Sequence, residues 1–331
     1  MRKIICIAIM LSSTCLLFAQ DSLDSKIPKA YEIVRPDSKS YAYPIFKPLT
    51  ISYDHLGNTE YKTDYLDKRV EEGEFKNNFR FKAFGNFPIF AKKRWIVTAS
   101  MNYLHEEFKA ISTVNYNNTV HKDNFSVDDL SLTFSALYRD SLFNRPVMYG
   151  ANLILDSRNF TSIQRVRGMV SATLVLKRTA NTAISTGLVA FVDPSVQFPV
   201  FPTITYWHKF KNSNWEFDAI LPARLMFRRS NTFKGWFSVG TELGGNSFFN
   251  QNGITSLPGD YEYSYSEIRA GITYEYPLNK FLLAGIKGGV SKTIMSRMGE
   301  VNAKRKDYLI ETNAKALPYV SVSLSVMIPK K

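Results

Sequence analysis

Apolar and polar residues alternate with a period of two along much of the chain from Leu49 onward. The alternation is clearest in the segments 129–139, 267–276 and 319–328. In the last segment, apolar side chains from Val320 onward take every second position and serines lie between them. Because successive side chains of a β-strand point to opposite faces, each segment predicts a strand with one apolar and one polar face.

Weaker alternation predicts further strands along the rest of the chain. They lie at 49–55, 74–87, 95–104, 147–156, 168–178, 182–192, 201–210, 214–221, 223–230, 235–245 and 281–291. The connections between strands are short and long in turn. The long ones lie near 56–73, 105–127, 157–167, 246–261 and 292–316, and an intermediate one lies near 193–200.

This order of connections requires the chain to reverse at Pro222. Proline lacks the N–H donor that a central strand needs, so a tight reversal there is reasonable. The reversal gives about 14 predicted strands, whereas a bulge at Pro222 would give 12.

Charged side chains recur on the polar faces of these strands. Ionised groups are very costly in the core of a soluble β-sandwich, which is the main alternative fold, but the interior of a membrane barrel is wet. The pattern therefore predicts an all-β protein, a transmembrane antiparallel up-and-down β-barrel. Eleven charged residues are expected to line its lumen: Lys76, Arg80, Lys82, Asp129, Arg139, Lys177, Glu242, Glu267, Arg269, Glu275 and Lys287.

The N-terminus predicts export. Arg2 and Lys3 precede an apolar run that ends at Leu17, and Ala19 is a small residue suited to cleavage. This run is too short for a membrane-spanning helix, which needs about 20 residues. We expect a signal peptide at 1–19, a periplasmic proline-containing tether at 20–46 and a barrel at 47–331.

The composition limits which kinds of binding site and partner are expected. Both cysteines, Cys6 and Cys15, lie in the predicted signal peptide, so neither disulfides nor a cysteine zinc site are expected in the mature chain. The net charge of +13 favours anionic partners such as lipid phosphates, and Lys304-Arg305-Lys306 either contacts lipopolysaccharide or is solvated. Expected partners are outer-membrane lipid, lipopolysaccharide and the barrel-insertion machinery. Nucleic acid is not expected for an exported protein.

Catalytic and metal motifs are weak. The four histidines show no metal-ligand spacing such as H-E-x-x-H. His105-Glu106-Glu107 reads either as an acid/base group of a surface hydrolase or as a solvated strand end. Asp128 and Asp129 are adjacent, so they point to opposite faces of a strand and cannot share a carboxylate site. No enzyme activity, cofactor or metal is expected.

The signal peptide and the alternating strands resemble outer-membrane β-barrel proteins of Gram-negative bacteria. More narrowly, Trp215, Leu221-Pro222 and Gly240-x-Glu242-x-x-Gly245-Asn246-Ser247-Phe248 resemble an uncharacterised family of bacterial outer-membrane barrels. The resemblance implies a fold and a place in the cell outer membrane, and no substrate. One departure is the C-terminus, which ends Ile328-Pro329-Lys330-Lys331 rather than on an aromatic residue.

Three functions remain open on these grounds. The first is a passive, porin-like pore for small solutes, because both signs of charge are predicted along the lumen. The second is a structural or surface-interaction barrel with a plugged lumen, whose long connections at 105–127 and 292–316 bind a partner. The third is a membrane-embedded hydrolase.

Overall fold

A computed structural model describes residue 43 and residues 46–114, 119–157, 162–193, 199–249, 260–301 and 307–328. The predicted signal peptide, most of the predicted tether and the cluster Lys304-Arg305-Lys306 lie outside these residues. No helix in the described part of the chain is long and apolar enough to cross a membrane.

Sixteen antiparallel strands form the described structure. They are β1 (Leu49–Leu56), β2 (Thr59–Tyr65), β3 (Lys68–Lys92), β4 (Trp95–Val114), β5 (Thr119–Leu142), β6 (Arg145–Ser157), β7 (Arg165–Arg178), β8 (Thr182–Val192), β9 (Val200–Lys209), β10 (Trp215–Leu221), β11 (Arg224–Thr232), β12 (Gly235–Phe249), β13 (Tyr261–Pro277), β14 (Leu282–Glu300), β15 (Ile310–Ala314) and β16 (Leu317–Val326).

These strands close into a ring of 14. β2 continues β1 along the edge of β3, and β16 continues β15 along the edge of β14. Pairing of β1 with β16 then closes the barrel. The predicted count of 14 is confirmed and the alternative of 12 is wrong, because the chain does reverse at Pro222, between β10 and β11.

The outer surface carries a belt of exposed apolar side chains, which is the surface that a transmembrane barrel presents to lipid. Every one of the 14 positions in the ring contributes to the belt. One such residue from each is Ile51, Phe87, Met101, Phe134, Leu153, Val170, Leu188, Ile204, Leu221, Leu225, Val239, Ile272, Ile286 and Val322.

The two ends of the barrel differ. One end, which we name the turn end, carries short connections such as 93–94, 143–144 and 233–234. The opposite end, which we name the mouth, carries the longer connections 158–164, 193–199, 250–260 and 301–309, together with tight reversals at 66–67 and 222–223. Both the first strand and the last strand of the barrel have their free ends at the turn end.

Three of the predicted long connections are mainly strand. Residues 105–114 belong to β4 and 119–127 to β5, so the predicted loop at 105–127 is largely a paired extension beyond the belt. The predicted loops at 56–73 and 292–316 are likewise occupied by β2 and β15 with the mouth ends of β3 and β14. The sequence pattern fails here because the alternation of the belt is reversed: apolar residues such as Phe108 and Phe125 face inward, and charged residues such as Lys109 face outward.

The length of the strands varies around the ring. β10 has 7 residues and β11 has 9, whereas β13 has 17 and β14 has 19. Ladder pairing between β11 and β12 ends at Arg224 and Glu242. One further hydrogen bond joins the Leu243 N–H to the Ala223 carbonyl, and beyond Leu243 no ladder pairing of β12 on its β11 side is found among the described residues.

Candidate functional site

At the level of the apolar belt, many small polar side chains face the lumen, together with some large ones such as Phe84, Ile154 and Trp207. They alternate with the exposed apolar residues of the same strands, so they point inward. We name this level the vestibule. It includes Thr50, Ser52, Ser100, Asn102, Ser131, Thr133, Ser135, Asn152, Ser171, Thr173, Ser185, Thr203, Thr205, Thr273, Ser321 and Ser323.

Above the vestibule, the mouth ends of β12, β13 and β14 fold inward. We name residues 244–249, 261–267 and 293–300 the flap. Cα atoms of β12 come within 8 Å of Cα atoms of β5, although six strands separate these two in the ring. Two consecutive flap residues, Phe248 and Phe249, are both buried. Because neighbouring strand residues point to opposite faces, the flap is covered on both of its faces.

A row of three glycines lies just below the flap. Gly240, Gly271 and Gly289 stand directly opposite one another on β12, β13 and β14. A Cβ atom at Gly271 would lie 2.4 Å from the backbone oxygen of Gly288, and one at Gly289 would lie 2.0 Å from that of Ala270. Only glycine permits so close an approach, and it allows the three strands to bend together.

The first ion-pair network crosses the lumen between β3 and the flap. Arg80 of β3 donates two hydrogen bonds, of 2.9 and 3.0 Å, to the carboxylate of Glu267 on β13. Its Nε atom lies 2.9 Å from Glu106 of β4. All three residues are at most 5% exposed. Since charges this deep need partners, the network fixes the flap to the wall.

The same network extends toward the vestibule. Arg269 donates to Glu267 at 2.8 Å and to Asp54 of β1 at 2.7 Å. Lys82 lies 3.2 Å from Asp54. Ser291 of β14 donates a further hydrogen bond of 3.0 Å to Glu267. The carboxylates are thus surrounded by positive charge, as their burial requires.

A second ion-pair network holds the opposite face of the flap. Arg165 of β7 donates to Glu262 of β13 and lies 3.2 Å from Asp156 of β6. Arg167 also binds Asp156, at 2.6 Å. In the ring, five strands separate β7 from β13. A polar cavity of ≈ 330 Å³ lies between this face and the wall and is bordered by Asp129.

An apolar cluster packs between the two networks. Leu104 of β4, Val127 of β5, Phe248 of β12 and Tyr265 of β13 contact one another in the lumen. Together with the ion pairs, the cluster narrows the mouth to the spaces on either side of the flap. The mouth is therefore constricted.

Nine of the eleven predicted lining residues lie on inward-facing strand positions. They are Arg80, Lys82, Asp129, Arg139, Glu242, Glu267, Arg269, Glu275 and Lys287. The structure brings Arg80, Lys82, Glu267 and Arg269 together in the first network and pairs Lys287 with Glu242. Asp129 borders the polar cavity instead.

Lys76 and Lys177 are corrections, because each lies on the outer face beyond a register shift. The shift between Lys76 and Phe79 reverses the alternation of β3, so Lys76 lies opposite Lys109 and pairs with Glu74 on the outside. A shift between Val175 and Lys177 sets Lys177 opposite Ile184. An extra residue in one strand turns all later side chains to the other face.

The turn end is covered on one side by the beginning of the described chain. Tyr43 packs edge-to-face on Trp236, with ring centroids 6.0 Å apart. Lys47 donates to the hydroxyl of Tyr43 at 3.0 Å and to the carboxylate of Glu275. The guanidinium of Arg228 lies 3.5 Å from the centre of the Tyr43 ring. These contacts tie the chain before β1 to the lumen wall.

The predicted acid/base group His105-Glu106-Glu107 is divided between the two faces of β4. Glu106 points inward to Arg80, whereas His105 faces outward. The two ring nitrogens of His105 contact Asp128 at 2.9 Å and Glu107 at 3.1 Å. Within the described ranges, no group of three or more histidine, cysteine or acidic residues is arranged to hold a metal ion.

Comparisons with known proteins give structural similarity only. No family model matches the chain, and no curated protein matches it. An outer membrane channel from Pseudomonas putida F1 is 12% identical, with a TM-score of 0.35, over 88% of this chain and 99% of that one. Outer membrane phospholipase A from Escherichia coli is 10% identical, with a TM-score of 0.31, over 82% and 96%. The outer membrane protease OmpT from Escherichia coli is 8% identical, with a TM-score of 0.27, over 87% and 99%.

Several residues of the site were not foreseen from the sequence. Asp54, Glu106, Asp156, Arg165 and Glu262 complete the two networks. Arg165 and Glu106 lie where the alternation predicts loops, and Glu262 lies just after the end of another predicted loop. The one available signal was the parity of Asp54, which continues the inward polar positions Thr50 and Ser52 of its strand.

Proposed function

We propose that this protein is an outer-membrane channel that passes small solutes by diffusion. The observation that carries the proposal is the vestibule, where small hydroxyl and amide side chains face the lumen on strand after strand. A closed lumen would be filled by larger side chains. Small polar groups leave room for water and offer hydrogen bonds to it.

The proposed constriction is the mouth. The flap and its two ion-pair networks reduce the cross-section there, so solute size would be set by the space beside the flap. Both signs of charge line this space, with Arg80 and Arg165 against Glu106 and Glu262. Mixed charge supports passage of small polar solutes without strong preference for cations or anions.

The proposed location is the cell outer membrane of a Gram-negative bacterium. Support comes from the sequence features of a signal peptide and from a barrel with an even strand number and an apolar outer belt. Short connections of such barrels face the periplasm, so the mouth would face outward. Lipid, lipopolysaccharide and the barrel-insertion machinery are the partners that this location implies.

Planar-bilayer recording of refolded protein tests the proposal. We expect discrete conductance steps in symmetric salt, with weak ion selectivity in a salt gradient. A folded protein that gives no steps, with folding checked by heat-modifiable migration in gels, would contradict it.

A second candidate function is a surface-interaction barrel whose lumen is closed. The buried ion pairs across the mouth favour it, because they are the interactions that a plug would use. In this case neither the wild type nor a variant with a weakened flap would conduct. The paired extensions at 105–114 and 119–127 would then be the projecting surface.

We propose no catalytic role for His105. Hydrolases that use histidine need a hydroxyl, thiol or water beside the imidazole. Both nitrogens of His105 are engaged by the carboxylates Asp128 and Glu107 instead. A lipid-release assay with phospholipid vesicles tests this proposal, and release above the level of a His105→Ala variant would contradict it.

A further inference from the structure

An apolar cavity of ≈ 280 Å³ lies in the mouth between the flap and the wall. It is separate from the polar cavity on the opposite face of the flap. Its volume is near the lower end of the range for small-molecule sites. The cavity therefore has room for a small ligand.

Aromatic rings form a large part of the cavity wall, since nine of its 24 lining residues are Phe or Tyr. On β2 and β3, Tyr61 and Phe75 stack with ring centroids 4.0 Å apart. Phe75 meets Phe108 of β4 edge-to-face at 5.2 Å, and Phe108 stacks on Phe125 of β5 at 5.1 Å. Phe248 of the flap borders the cavity on the other side. Such walls favour a flat aromatic ligand, which can stack or pack edge-on against them.

The polar atoms of the cavity are mostly satisfied. Tyr61 donates to Glu71 at 2.6 Å, and burial together with this hydrogen bond raises the pKa of Tyr61, so its hydroxyl stays neutral. Glu106 accepts from Tyr265 at 3.3 Å and is paired with Arg80. These groups are therefore engaged by the protein itself.

Asn78 is the exception. Its side chain borders the cavity, is only 8% exposed, and its carbonyl oxygen Oδ1 has no hydrogen-bond partner. A buried acceptor without a donor is costly, typically by about 1 to 3 kcal/mol. A ligand that donates one hydrogen bond here would remove that cost.

We propose that this cavity binds a small planar aromatic compound that carries one N–H or O–H donor, with the donor on Asn78 Oδ1 and the ring between Phe108 and Phe248. Neither the cavity nor Asn78 belongs to the vestibule, so binding does not depend on conduction. The site would be reached from the mouth.

A matched pair of probes tests the proposal on the wild-type protein. Indole and benzofuran have nearly the same shape, but only indole carries an N–H donor. We expect isothermal titration calorimetry of the barrel in lipid nanodiscs to show indole binding about tenfold more tightly than benzofuran, which is the effect of one hydrogen bond. Empty nanodiscs give the partition blank.

Two asparagine variants locate the donor site. In Asn78→Leu we expect indole to bind no more tightly than benzofuran. Asn86→Leu is the matched control, because Asn86 lies on the same strand, also has an unpartnered Oδ1 atom, and does not border the cavity. It should keep the tenfold preference.

Three results would overturn the proposal. They are no saturable indole binding by wild type, equal binding of the two probes by wild type, or loss of the preference in Asn86→Leu. The wild-type comparison stands even if Asn78→Leu does not fold. Calorimetry measures ligand binding, whereas bilayer recording measures conduction. A failure of the ligand proposal therefore does not affect the channel proposal.

Discussion

The vestibule and the mouth of this barrel satisfy their lumen-facing polar groups in opposite ways. In the vestibule, residues such as Ser323 and Thr133 are small and half-buried, so water can satisfy them. At the mouth, Arg80 and Glu267 are large and buried, and they satisfy each other. The comparison teaches that one barrel interior can offer polar groups to water at one level and be narrowed by paired protein groups at the next.

The largest expected effect follows from removing the centre of the first network. Arg80→Ala leaves Glu106 and Glu267 buried without their shared partner, which typically costs about 3 to 5 kcal/mol. We expect the free energy of unfolding in urea to fall by that amount. Lys315→Ala is the control, because its pair with Glu60 is exposed and should contribute less than about 1 kcal/mol. Equal losses of unfolding free energy in the two variants would show that the buried network at the mouth contributes no more than an exposed ion pair.

A charge placed on either face of β16 tests which face meets lipid. Leu324→Arg puts the charge on the outer belt and should cost about 2 to 4 kcal/mol near the membrane midplane. Ser323→Arg puts the same charge in the vestibule and should cost little. Refolding into vesicles, followed by urea titration, measures both. If Ser323→Arg is the more harmful change, the assignment of the wet face is wrong.

A substitution in the glycine row below the flap should lower the free energy of unfolding by a smaller amount. Gly271→Val forces a Cβ to within 2.4 Å of the Gly288 backbone oxygen, so the strands must shift, at about 1 to 3 kcal/mol. At Gly244, the nearest atom to an added Cβ is the Glu267 Cγ atom, 3.8 Å away. Gly244→Val should therefore be tolerated in the same unfolding experiment. A larger loss at Gly244 would show that the row does not limit bending.

The sequence predicted the barrel well because its signal is local. Alternation in a segment such as 319–328 shows both that the segment is a strand and which of its side chains face lipid. Pro222 likewise indicates a chain reversal from its own position alone. The 14-strand ring follows from these local features.

The interior was less predictable, for two physical reasons. A bulge reverses the face of every strand residue on its far side, so the alternation of 79–87 predicts Lys76 in the lumen although Lys76 lies outside. Contacts across the lumen, such as Arg80 with Glu267, join strands that are distant in the ring, and no periodic pattern records them. The flap depends on β10 and β11 being shorter than β13 and β14.

Single-channel conductance in planar bilayers tests the central claim most directly, that the flap is the narrow point above a wet vestibule. We predict small steps for the wild type, larger steps for Arg80→Ala, whose flap loses its main contact with β3, and nearly wild-type steps for Ser323→Arg. The account would be contradicted if none of the three folded proteins conducts, or if Ser323→Arg reduces the conductance strongly while Arg80→Ala leaves it unchanged.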